Sequence, residues 1–290
     1  RMRPHVHRPI DAAWIRRQMG RPRAPRRWMV RATGAQMTPV PPTGAWPGGE
    51  VVTARVRDAA NRVVLYLHGG GYIACSPETH RPLVAALVSR IGGTAYVPTY
   101  GLAPEHPYPA ALHDAQGAYR HLVDACGITP SRLIVAGDSA GGGLALALVL
   151  SLRETGLPLP AAVVTFSPWT DMAATGASLD ENSQRCAMFA GDTIRRAARF
   201  YSANADPFSP TLSPLYGDYH GFPPLLVHAS TDEALRDDAV RVAERARAHG
   251  ASVTCRLWAG VPHVWQFFSG VMPEAAESLQ ETADFIRAQT

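Results

Sequence analysis

The chain contains no lysine: all 28 of its basic side chains are arginines. That absence excludes several chemistries at once, because Schiff-base catalysis, covalent pyridoxal phosphate, Walker-A nucleotide binding and serine–lysine hydrolysis each need an ε-amino group. Cysteine is scarce too. Cys75, Cys126, Cys186 and Cys255 lie far apart, with no C-x-x-C pair. No zinc cage or dithiol motif is expected, and scattered thiols fit small apolar residues in a reducing cytoplasm better than disulfides. No apolar run approaches the ~18 residues of a membrane span. The basic start RMRPHVHRPI is not followed by the apolar core of a secretory signal. The expectation is a cytoplasmic protein with no membrane span and no metal.

Acidic charge is also nearly missing from one end. Residues 1–31 hold ten arginines and one acid, Asp11, so that stretch carries +9 while the whole chain carries +4. A basic arm can bind nucleic acid. Here Trp14, Ile15, Met19, Trp28, Met29 and Val30 interleave with the arginines as a one-sided helix requires, and no nucleic-acid motif accompanies the charge. The arm reads as a segment packed on the protein with its arginines in water, and no nucleic-acid partner is expected.

What the chain does have is an alternation of strand and helix patterns over 290 residues, 46% of them hydrophobic. Residues 34–49 are rich in Pro and Gly and read as a linker. Beyond them, strands are expected at 50–56, 62–68, 94–100, 131–137, 161–168, 225–229 and 252–258. Helices are expected at 80–91 (Pro82 in the first turn), 110–126, 139–153, 234–249 and 273–288. Residues 170–221 break this rhythm. Repeated βα units predict a mostly parallel sheet covered on both faces.

Three stretches carry chemistry. GDSAG (137–141) fits G-x-S-x-G, and it sits where an expected strand turns into an expected helix. Ser139 then occupies a tight turn that presents its hydroxyl, with the N–H groups and positive dipole end of a helix behind it. HGGGY (68–72) follows a strand, and its consecutive glycines leave backbone N–H groups open to hold an oxyanion. His263, in AGVPHVWQFF, lies in a loop after the last strand, where α/β proteins collect catalytic residues. His249 precedes Gly250 and reads as a helix C-cap instead. An acid must follow the strand LLVHAS, and Asp232 and Glu233 are adjacent candidates.

HGGGY, YGLAPEHPYPAAL (100–112) and GDSAGGG together resemble the bacterial hormone-sensitive-lipase-like esterases of the α/β-hydrolase fold. The resemblance runs from about residue 50 to the end. It implies a catalytic domain over 50–290, with a helical cap formed by the 1–49 segment and an insertion at about 170–221. The family's D-P-L-x-D loop, aligned without gaps, falls on EALRD (233–237). That implies Glu233 as the triad acid, with Asp232 as the alternative. Gly101 stands where the family has Arg.

The resemblance implies hydrolysis of short- to medium-chain acyl esters, or lactones, without a cofactor. Ser139 is the expected nucleophile, His263 the base, and Gly70, Gly71 and Ala140 the oxyanion donors. Tyr72, Met188 and Phe189 are expected at the substrate pocket. Trp14, Trp28, Met172, Phe200 and Tyr201 are further candidates, for which plain packing is the alternative. A homodimer through the last strand is implied as well. A catalytically silent small-molecule receptor of the same fold, a serine peptidase and a thioesterase are the competing readings.

Overall fold

The computed structural model describes residues 12, 16 and 24–290. Trp14, Ile15 and Met19 of the basic arm lie outside the described residues. From residue 24 on, the described residues form α1 (Ala24–Thr33), β1 (Gln36–Val40), β2 (Gly49–Thr53), β3 (Val63–Leu67), α2 (Pro77–Ile91) and β4 (Thr94–Pro98). It continues with α3 (Ala110–Arg120), β5 (Leu133–Asp138), α4 (Ala140–Glu154) and β6 (Ala162–Phe166). The irregular stretch then holds α5 (Ser178–Glu181) and α6 (Gly191–Ser202). It is followed by β7 (Leu225–Ser230), α7 (Arg236–Ala248), β8 (Val253–Trp258) and α8 (Pro273–Gln289). Among the described residues no helix is long and apolar enough to cross a membrane.

The strands form one sheet in the order β1-β2-β4-β3-β5-β6-β7-β8. Pairing is parallel from β4 through β8 and antiparallel where β1 and β2 extend the other edge. Period-two alternation sorts the central strands onto two faces. Leu65, Leu67, Val135, Val163 and Val227 pack with α3, α4 and α7, while Val64, Tyr66, Ile134, Ala136 and Val164 pack with α2 and α8. Both faces are covered, which is why the central strands read as unbroken apolar runs.

Besides strands that end two or three residues short of expectation (β2 at Thr53, β4 at Pro98, β6 at Phe166), the structure departs from the sequence reading in three places. The expected linker 34–49 contains β1, whose residue Pro39 is tolerated because this strand lies at the sheet edge. Helix α2 begins three residues earlier than expected, with Pro77 at its first position, Ser76 N–H donating to Thr79 Oγ1 at 3.0 Å, and Pro82 inside the helix rather than in its first turn. The helix expected over 110–126 is α3 followed by a wider π-helical turn at His121–Ala125.

The tightest packing is where β5 becomes α4. A Cβ at Gly141 would stand 2.0 Å from Leu67 O and 2.4 Å from His68 O, and one at Gly137 would stand 2.2 Å from Gly141 O. These contacts are backbone on backbone and cannot relax by side-chain motion. Gly141→Ala is expected to cost about 3 kcal/mol of stability. Urea unfolding of the variant checks this, and an unchanged midpoint refutes it.

Candidate active site

Ser139 lies at the β5–α4 junction with φ 54° and ψ −124°, a backbone conformation that non-glycine residues seldom adopt. It is held on both sides. Its N–H donates to Phe166 O at 2.8 Å, and its carbonyl accepts from Trp169 N–H at 2.9 Å and Gly143 N–H at 3.1 Å. Strained backbone persists only when surrounding bonds over-determine it. Here they leave the side chain at the mouth of the turn, at the N-terminus of α4, whose first residue is Ala140.

The glycine loop after β3 runs through unusual backbone, with φ of +125° at Gly70, +65° at Gly71 and +60° at Tyr72. It folds back on itself, since Gly70 O accepts from Ile73 N–H at 3.1 Å and Ala74 N–H at 3.0 Å. A Cβ at Gly70 would sit 2.1 Å from Ala74 O, so glycine is obligatory there. Tyr72 is buried and stacks face to face on Tyr201 of α6 at 3.6 Å.

Beneath this loop is a buried polar network that the sequence reading missed. Asp138 accepts from Tyr66 Oη at 2.8 Å and from Gly69 N–H at 3.1 Å, and His80 Nε2 lies 3.2 Å away. Burial alone would raise the Asp138 carboxyl; the neighbouring His80, with the bonds from His80 and Tyr66, outweighs it and holds the group below the usual carboxylate range. His68 stacks on Tyr100 at 4.2 Å, and burial, reinforced by nearby His80, pushes its imidazole down to about 3. The only sequence trace of this network was the x of G-x-S-x-G and two histidines with no assigned purpose.

The expected base and acid meet on the far side. His263 Nδ1 is hydrogen-bonded to Glu233 Oε2, with both side chains buried, and the other carboxylate oxygen accepts from Ser230 N–H at 2.7 Å. Asp232 turns away, pairing with Arg185 at 2.7 Å and accepting from Gly260 N–H at 3.1 Å. The backbone that presents Glu233 is pinned by Asn182, whose amide donates to Thr231 O and Glu233 O at 3.0 Å each. No motif pointed to Asn182.

Of the expected pocket residues, Phe189 meets the His263 ring edge-on at 4.8 Å, whereas Met188 is 42% exposed. Trp28 is exposed as well; Met172 and Tyr201 are buried. His249 caps α7 ahead of Gly250, whose φ is +84°. Among the described residues one group of metal-ligating type comes together: Asp218, His220 and His249, at the surface. Its carboxylate is already bound by Arg153 at 2.7 Å, and Arg245 donates to Gly217 O next door, so the charge around it opposes a dication.

An eight-stranded sheet of this topology, with a serine on the turn after β5 and a histidine–carboxylate pair beyond β7 and β8, defines an α/β hydrolase, and a profile of the α/β hydrolase fold matches residues 64–267. An acetyl-hydrolase of Streptomyces hygroscopicus is 41% identical over 252 residues, 84% of each chain. A crystal structure of an esterase from the bacterial hormone-sensitive lipase family superposes with a TM-score of 0.84 at 37% identity, covering 96% of both chains. EstE5, in crystals soaked with p-nitrophenyl butyrate, superposes with a TM-score of 0.88 at 34% identity, covering 99% of this chain and 94% of that one. The chain belongs to the bacterial hormone-sensitive-lipase-like esterase family.

Buried histidines and a buried carboxyl give stability opposing dependences on pH. His68 and His228 are both pushed down to about 3, chiefly by burial. Unfolded, each titrates near 6.5. Between those values the unfolded chain binds protons that the folded chain does not, so the histidine contribution falls as pH drops below about 6.5; the buried Asp238 carboxyl, pushed up to about 8 chiefly by burial, works the other way, its contribution rising as pH falls below about 8. Between pH 7.5 and 5.5 the unfolding free energy of His228→Gln, from urea titrations, should move in the stabilising direction relative to that of wild type by about 1 kcal/mol, a comparison in which the Asp238 contribution cancels. The same pH dependence in wild type and His228→Gln refutes this account.

Proposed function

We propose that this chain is a serine carboxylesterase that hydrolyses short- to medium-chain acyl esters, lactones included, through Ser139, His263 and Glu233. The observation that carries the reading is the buried His263–Glu233 pair, set in a protein whose only elbow-type serine is held at φ 54°. Ser139 Oγ attacks the ester carbonyl while His263 Nε2 takes its proton, forming a tetrahedral intermediate. The negative oxygen is met by the N–H groups of Gly70, Gly71 and Ala140, each such donor contributing about 3–4 kcal/mol. His263 returns the proton to the leaving alcohol, and water then cleaves the acyl-enzyme by the same route in reverse. Glu233 fixes the ring tautomer with Nδ1–H toward its Oε2 and supports the imidazolium as it forms.

Residues 170–221 form the cap in this reading, while residues 36–40 and 49–53 belong to the sheet as β1 and β2, and Tyr72 and Phe189 stand at the acyl pocket. The stack of Tyr72 on Tyr201 supports it, because it ties the glycine loop to the 170–221 insertion. Similarity to an acetyl-hydrolase supports a short acyl group. The reading extends to a homodimer through β8, which lies at the end of the sheet. A light-scattering mass near twice 31.2 kDa is expected, and a constant 31.2 kDa at all working concentrations rules the dimer out.

Initial rates on p-nitrophenyl esters from acetate to palmitate test the chemistry. Turnover should peak at short chains. Ser139→Ala should lose it almost entirely, and Glu233→Gln should lose roughly a thousandfold or more. Asp232→Asn should stay within about twofold of wild type, since its carboxylate faces Arg185. Full activity in Ser139→Ala overturns the assignment, and loss in Asp232→Asn with retention in Glu233→Gln exchanges the acids.

A further inference from the structure

The segment at the end of β6, Phe166–Trp169, touches both halves of the proposed catalytic apparatus. On one side it grips the nucleophile. Phe166 O accepts the Ser139 N–H at 2.8 Å, and Trp169 N–H donates to Ser139 O at 2.9 Å. Cβ atoms at Gly142 and Gly143 would stand 3.0 Å from Pro168 Cβ and 2.0 Å from Trp169 O, so segment and elbow are in direct contact. On the other side it grips the base loop: the Ser167 hydroxyl accepts the N–H of Val264, the residue after His263, at 3.2 Å.

Ser167 is unusual in three respects. It is fully buried. Its φ is +49°, a conformation that disfavours any side chain yet is kept here. Its N–H is fastened to His228 O at 2.7 Å, which ties the turn to the strand leading to Glu233. Val264, which it holds, is itself left-handed at φ +51° and buried. Two strained residues on separate loops are thus joined by one side-chain bond, and neither loop has a motif that would demand it. A packing role alone is served by alanine or glycine, and glycine would also relieve the strain. What only a hydroxyl does here is accept the Val264 N–H.

We infer that Ser167 is a positioning residue for the ester hydrolysis proposed above: its hydroxyl fixes His263 relative to Ser139 by fastening the base loop to the segment that holds the elbow. Proton transfer from serine to imidazole needs the two groups within hydrogen-bond reach, and an ångström of misplacement can cost on the order of a hundredfold in rate. Ser167 touches no reacting atom. Its effect passes through Val264 to His263, and it should appear in kcat rather than in KM.

The inference rests on the Ser–His–Glu reading, so Ser139→Ala is assayed alongside to separate the two. Ser167→Ala, Ser167→Gly and Ser167→Cys are compared with wild type on p-nitrophenyl butyrate, with Tm measured for each. The Ala and Gly variants should both lose about tenfold or more in kcat with KM within about twofold. The Gly variant should have the higher Tm of the two, because it suits the positive φ. The Cys variant, whose sulfur is a weaker acceptor of similar size, should fall between Ala and wild type. If kcat in both Ala and Gly stays within twofold of wild type while Ser139→Ala is inactive, Ser167 does not position the base. If kcat recovers from Ala to Gly in step with Tm, its role is structural and the inference is overturned. Activity persisting in Ser139→Ala removes the underlying reading instead.

Discussion

One turn without room for side chains governs the geometry of this protein. Where β5 passes into α4, the backbones of Gly137, Gly141, Leu67 and His68 approach so closely that a single methyl group would overlap a carbonyl oxygen. That approach has two consequences. It forces Ser139 into left-handed backbone at the start of α4, and it places the end of β3, where the glycine loop begins, directly against the elbow. The proposed nucleophile and oxyanion donors are therefore fixed relative to each other by main chain, the least deformable part of the fold. A site assembled from side chains alone would have to spend rotamer entropy to reach the same precision.

The buried charge beneath the loop belongs to the same constraint. Asp138 is the residue immediately before Ser139, and it accepts the Gly69 N–H from the neighbouring loop. A buried carboxylate is costly unless it is bonded and paired, and Asp138 has Tyr66, His80 and Gly69 around it. The network turns the cost into rigidity: the carboxylate holds the glycine loop at the height of the elbow. A loop whose residues 70–72 all have positive φ needs such an anchor, because its own backbone does not favour the shape it adopts.

The sequence was most legible where local chemistry and long-range position coincide. GDSAG and HGGGY announce themselves because only glycine satisfies the required φ and clearances, and the alternating βα pattern placed nearly every strand of the sheet. Legibility failed where a residue's task is set by a distant partner. Pro39 made β1 resemble a linker, although an edge strand tolerates proline. Asn182 and Ser167 are ordinary polar residues in sequence, and their meaning comes from carbonyl and amide groups some fifty and a hundred residues away. Met188 and Phe189 are adjacent and both apolar, yet only Phe189 reaches His263 while Met188 faces solvent.

The choice between Asp232 and Glu233 shows why position outweighs residue type. Both follow β7 and both carry a carboxylate, but the backbone after Ser230 turns so that the two side chains diverge. Asp232 goes to the surface, where Arg185 and water screen it. Glu233 is drawn inward, and one oxygen is taken up at once by Ser230 N–H. That bond closes a short loop within the strand end and leaves the other oxygen aimed at His263. Glutamate's extra methylene is what spans the gap between a backbone already bound to Asn182 and a ring already fixed by its own loop. A longer side chain ordinarily means a looser carboxylate. Here the Ser230 N–H removes that freedom, so a glutamate can orient an imidazole as firmly as a shorter acid would.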